Sequence, residues 1–125
     1  MASEYPVGTI ETEQHGDVTL LRLLGEHDMA TGSDLRRAIE DSVAAGQGLV
    51  VSLIDTQFVD SHVVRLLLLG DGLLRAQSRR LVLHVTTASI VKRALDISQL
   101  SSALPCTGSL PTAITLASTS EGDPK

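Results

Sequence analysis

Apolar residues recur along this chain with two different periods, and the changes between them divide it into strands and helices. From Thr9 to His15 apolar and polar positions alternate weakly, Gly16-Asp17 supplies a turn, and residues 18–24 alternate before becoming wholly apolar, which predicts an antiparallel hairpin at a sheet edge. Leu35, Ala38, Ile39 and Val43 then recur at the spacing of one helix face, with Thr31 or Ser33 as N-cap and Gly46 and Gly48 as the stop. Residues 49–54 form an apolar, β-branched run of strand length, the pattern of a central strand covered on both faces. A short acidic loop leads to a helix opening at Asp60-Ser61 and running to about Ser78. Val64, Leu67, Leu68 and Leu74 line one side of that helix, and Arg75, Gln77 and Arg79 mark its wet end. Gly70 and Gly72 lie inside it, each costing up to about 1 kcal/mol relative to alanine, so this helix depends on packing.

Residues 81–85 read as a second buried strand, and Ile90, Val91, Ala94 and Leu95 as the apolar face of a short helix over 88–95. A further strand is expected near Ala103-Leu104. A closing helix follows, with Ser109 as N-cap and Pro111 in its first turn, where no backbone donor is needed. A hairpin followed by strands alternating with helices favours a mixed sheet, because right-handed crossovers make parallel neighbours.

Composition narrows what such a fold can do. The 125 residues suit one core, and with only Tyr5 and Phe58 as aromatics that core is built from Leu, Val, Ile and Ala. A net charge of −5 with no Lys/Arg block argues against nucleic acid, which demands clustered basic charge. The apolar run 63–69 is broken by Arg65 and falls short of the roughly 20 residues that span a bilayer. Residues 1–8 lack the basic start and apolar centre of a signal peptide, so a cytoplasmic location is expected. Cys106 is a lone cysteine, read as a small apolar residue near a strand end, with no disulfide and no metal or cofactor expected.

The residue type that stands out is a hydroxyl at a helix start. The first turn of a helix offers unpaired N–H groups and about half a positive charge, so a phosphate on Ser61 would meet waiting donors, and it would add roughly 1.5 to 2 negative charges beside Asp55 and Asp60. The plainer reading makes the Ser61 hydroxyl the N-cap itself, and the two are compatible. His62 has the chemistry to titrate beside a phosphate, or is an exposed bystander. Arg65, one turn on, has the reach to pair with a phosphoserine or with Asp60, or is an ordinary helix charge. A hydrolase built on Ser61 with His62, His27 or His84 lacks a nucleophile elbow and an oxyanion motif. His15, His27, His62 and His84 show no metal-ligand spacing.

The strand Leu49-Val50-Val51-Ser52-Leu53 followed by Asp60-Ser61-His62-Val63 resembles the signature of the STAS family, the fold of bacterial anti-sigma factor antagonists: a V-V-x-D-L strand, then a D-S-[ST]-G-[LV] turn. Gly25-Glu26-His27-Asp28 is similar to that family's G-E-L-D turn, and residues 87–100 resemble its S-P-A-V-R-R-x-L helix. Together these span about Thr9 to Ala117. The resemblance implies an α/β fold of STAS type: a mixed four- to five-stranded sheet with about four helices, in one compact domain over 9–117. A flexible N-terminus (1–8) and a disordered tail (118–125) would flank it.

It further implies a non-enzymatic switch with no catalytic residues. The unmodified protein would dock, as a monomer, on an anti-sigma factor that is also a serine kinase and so release a sigma factor; phosphorylation at Ser61 would end that, and a phosphatase would restore it. Asp28, Asp60, Ser61, His62, Val63 and Arg65 would face the partner. His62 and Val63 stand where the family has Ser or Thr and then Gly, and Ser52 replaces an aspartate. Valine adds a stiff branched side chain where glycine admits a close backbone. These departures keep a second reading open, that of a STAS-type interaction or small-ligand module that is not phosphorylated.

Overall fold

The computed structural model describes residues 8–27, 32–86, 90–97 and 103–118. β1 (Thr9–His15) and β2 (Val18–His27) form the predicted hairpin, in antiparallel register from Thr9 opposite Leu24 to His15 opposite Val18. Gly16 makes the turn with φ 64°, a left-handed conformation that suits glycine. α1 (Gly32–Ala44) contains Ser33, which is therefore not its cap; Thr31 lies outside the described residues. Gly46, with φ 70°, ends α1 in a Schellman motif, its N–H donating to Val43 O and that of Gln47 to Ser42 O, both at 3.1 Å. Gly48 belongs to the next strand, β3 (Gly48–Ser52), which stops short of Leu53 and Ile54.

The stretch read as an acidic loop contains another strand, β4 (Thr56–Val59). α2 (Ser61–Arg75), β5 (Leu81–His84), α3 (Ile90–Ile97), β6 (Cys106–Thr107) and α4 (Leu110–Ser118) follow. β6 lies a few residues beyond the Ala103-Leu104 expected, and Ser118, expected in the tail, is the last residue of α4. Thr112 N donates to Ser109 Oγ at 3.3 Å, the predicted cap. α2 ends before Ser78. There the chain reverses with Ser78 at φ 61°, Ser78 N donating to Arg75 O and Arg79 N to Leu74 O, so a serine holds the place glycine usually takes.

The sheet has six strands in the order β1-β2-β3-β5-β6, with β1 antiparallel and the rest parallel. β4 is the strand beyond the four or five expected. It pairs with the far half of β2, from Gly25 to His27, after β3 has left the near half at Arg22. Four residues reading Thr-Gln-Phe-Val carry too little pattern to announce this; only the length of β2 creates the place.

Strand alternation sorts the core into two layers. Leu21, Leu23, Leu49, Val51, Leu81 and Leu83 pack with Leu35 and Ile39 of α1 and Leu66, Leu67 and Leu74 of α2. Val18, Leu20, Val50 and Val82 pack on the other face with Ala113 and Ala117 of α4. A Cβ on Gly48 would fall 2.1 Å from the carbonyl oxygen of Ala117, so this glycine lets β3 and α4 approach.

The buried face of α2 is Val63, Leu66, Leu67, Gly70, Asp71 and Leu74, rotated from the one predicted; Val64 is half-buried and Leu68 exposed. Apolar residues surround this helix, so periodicity could not choose a face. Packing chooses it: a Cβ on Gly70 would meet Ile39 Cγ2 at 2.9 Å, which sets α2 close against α1 there. Asp71 is admitted to this buried face because its carboxylate accepts from Leu81 N (3.3 Å) and pairs with Arg75 Nε (3.0 Å) and Arg80 Nε (3.6 Å). Arg79, expected at the wet end, instead bonds the backbone and carboxylate oxygens of Asp17, both at 2.9 Å.

Candidate functional site: the head of α2

The end of β2, the β4 strand and the start of α2 are held together by backbone. Gly25 N donates to Asp55 O (3.1 Å) where β4 begins, and Asp60 N donates to His27 O (3.2 Å) where it ends. Asp60 thus arrives in extended conformation, φ −101° and ψ 179°, and its carboxylate accepts from Val63 N at 3.0 Å. Its carbonyl accepts the first helical bond, from Val64 N at 3.1 Å. Asp60 is therefore the N-cap, a role the sequence reading gave to Ser61. Ser61 is the first helical residue, and its side chain stands exposed at the positive end of the helix, beside the cap carboxylate.

The other expected partner-facing residues divide. Arg65 is exposed one turn after Ser61, on the same face. Val63, expected to face the partner, is instead fully buried in the core between sheet and helices and cannot do so. His62 is half-buried rather than a solvent-exposed bystander; its ring lies over Gly32, the first residue of α1, where an added Cβ would stand 2.7 Å from Nε2. Asp28 lies outside the described residues.

Beyond Ser61 and Arg65, the outer face of α2 presents Leu68, Leu69 and Leu73, which are 42%, 60% and 48% exposed. Leu69 and Leu73 also border a cavity of about 190 Å³ between α1 and α2, lined by Ile39, Leu66 and Gly70 with Arg36 and Glu40 at its rim. Ser61 thus stands at the head of an apolar surface.

The histidines that might have served a nucleophile are engaged elsewhere. His27 is fully buried, Nε2 lying 3.2 Å from Leu24 O. His84 faces Ser52 across β5 and β3, Nδ1 to Oγ 2.9 Å. The sequence carries a signal for this pair: Leu-Val-Val-Ser and Leu-Val-Leu-His lie in register, each placing one polar residue at its fourth position. Burial pushes the His84 imidazole below the ordinary histidine value and the Arg22 charge adds to that, while a backbone bond at Gly108 opposes it.

A lowered folded-state value means that the unfolded chain takes up the proton first. The stability given by neutral His84 is then complete above about pH 6.5 and is lost as the pH falls below it. Urea unfolding at pH 7.5 and pH 5 should show a loss of stability in acid that is smaller in His84→Asn; equal losses would contradict this.

Among the described residues no group of three or more His, Cys, Asp or Glu side chains could hold a metal ion. Burial pushes the Cys106 thiol up, away from the reactive thiolate. No helix among the described residues is long and apolar enough to cross a membrane.

Comparison with known proteins agrees with this arrangement. The family model described as the STAS domain matches residues 9–113. An anti-sigma factor antagonist from Mycobacterium paratuberculosis superposes with a TM-score of 0.80 at 24% identity, over 93% of this chain and 98% of that chain. The Bacillus cell fate determinant SpoIIAA in its phosphorylated form gives 0.67 at 21% identity, over 86% and 97%. The unphosphorylated form of the anti-sigma factor antagonist SpoIIAA gives 0.68 at 20% identity, over 83% and 92%. At these identities the likeness is one of fold. Among curated proteins no relative matches the sequence. The family match across most of the chain, on a mixed sheet whose β4 delivers an aspartate-capped serine to the head of α2, makes this protein a member of the STAS domain family.

Proposed function

We propose that this protein is an anti-sigma factor antagonist switched by phosphorylation at Ser61. In its unmodified form it binds an anti-sigma factor with serine kinase activity and so releases a sigma factor; the phosphorylated form does not bind. The observation that carries this reading is the exposed hydroxyl of Ser61 at the first position of α2, relieved of capping duty by Asp60. A capping hydroxyl would have to leave its N–H to be modified; this one does not. The similar structures support the reading, since they include anti-sigma factor antagonists and SpoIIAA in both phosphorylation states.

The antagonist supplies only the nucleophile. The Ser61 oxygen attacks the γ-phosphorus of ATP held by the kinase, the bond to ADP breaks, and the hydroxyl proton passes to a base on the kinase. The phosphate then stands at the positive end of α2, next to Asp60 and Arg65. On this reading Asp28, Asp60, Ser61, His62 and Arg65 compose the docking surface, with the exposed leucines of α2 extending it. Incubating the protein with ATP and its cognate anti-sigma kinase should add one phosphate by intact mass, absent in Ser61→Ala; no transfer, or transfer to Ser61→Ala, would refute the assignment.

A second reading is favoured by the cavity between α1 and α2 and by His62 in place of a small hydroxyl residue. In it the domain is an interaction or small-ligand module indifferent to Ser61. A partner retained equally by wild-type, Ser61→Ala and Ser61→Glu protein would select this alternative.

A further inference from the structure

Two side chains at the head of α2 bear on its first turn. Asp60 holds the first turn through Val63 N, and His62 reaches sideways to the start of α1, its ring filling the space where any side chain at position 32 would stand. Gly32 and His62 are thus a complementary pair: the missing side chain on one helix makes room for the imidazole of the other. Between the first turns of α1 and α2 this is a direct bridge, and it originates at the residue next to Ser61.

A phosphate on Ser61 acts on this bridge through Asp60. The Asp60 carboxylate takes the Val63 N–H, one of the donors of the first turn of α2. A phosphate of roughly 1.5 to 2 negative charges, one residue away, repels the capping carboxylate and is drawn to the same helix end. That repulsion bears on the capped first turn, in which His62 lies.

We infer that His62 is a positioning residue that relays the phosphorylation state of Ser61 to the first turn of α1. The inference rests on Ser61 being the phosphoacceptor. It makes the α1 start part of the surface that changes on phosphorylation, and it gives a use to the histidine that departs from the family pattern.

The test needs no kinase. Uniformly ¹⁵N-labelled full-length protein is made with serine or with phosphoserine inserted at position 61 during translation, in wild-type and His62→Ala backgrounds, and amide shifts are compared. Phosphoserine should move the Gly32 and Ser33 amides in the wild type, and that movement should fall at least twofold in His62→Ala, while Val63 and Val64 move equally in both. Gly32→Ala, which displaces the ring from the other side, should reduce the Ser33 response in the same way. An undiminished response in both variants, or none in the wild type, overturns the relay. Because the phosphate is installed by translation, failure of a kinase to modify Ser61 would refute the proposed function and leave this result standing.

Discussion

Ser61→Glu is expected to weaken binding to the cognate anti-sigma kinase by about tenfold to a hundredfold, roughly 1.4 to 2.8 kcal/mol, while Ser61→Ala binds as the wild type does. Position 61 is exposed at the head of α2 with the Asp60 carboxylate adjacent, so a new negative charge is presented to the partner rather than buried in the fold. An acidic side chain in the first turn also interacts favourably with the helix end, by about 0.3 to 1 kcal/mol, which offsets its repulsion of the Asp60 carboxylate and leaves the stability of the fold little changed. The two effects therefore separate: affinity falls and the melting temperature does not. Calorimetric titration of the purified pair, with circular dichroism melts as control, reads both. Phosphoserine carries more charge than glutamate and should exceed its effect. Equal affinity for all three forms would remove Ser61 from the interface.

The second large effect is expected in the core. Leu67→Ala should cost about 3 to 5 kcal/mol, because Leu67 is fully buried beneath α2 and its removal leaves a cavity that the strands cannot collapse to fill. In a domain of this size that corresponds to a fall of roughly 10 to 20 °C in melting temperature. Leu69→Ala, two residues away, should change stability by no more than about 0.5 kcal/mol, since that side chain is largely in solvent. Thermal melts of the two variants side by side make the comparison; similar losses would show that the packing of α2 is misassigned.

That pair of leucines also marks where sequence reading ran out. Residues 66–69 are four leucines in a row, and no periodicity tells the core side from the exposed one. The closeness of Gly70 to Ile39 decides it, a contact between residues far apart in the chain. Val63 was misjudged for the same reason: it looked like an obstruction on the docking surface and is part of the floor beneath it. The cap was misassigned by one residue, because Asp60 and Ser61 are both good capping types and only the backbone arriving from β4 determines which stands at the helix boundary.

What was legible was local. The hairpin around Gly16, the α1 stop at Gly46, the Ser109 cap and the serine at the start of α2 depend on dihedral preferences and on hydrogen bonds between near neighbours, which short stretches of sequence encode. The resemblance to the STAS pattern added the fold as a whole. What tertiary structure alone decided was non-local: the extra strand β4 on the far half of β2, the Ser52–His84 pair across two strands, the exposed apolar face of α2, and the ring of His62 resting on Gly32. Each of these depends on which distant residues are brought within a few ångströms, and that is fixed by the shape of the packed whole rather than by the preferences of any one segment.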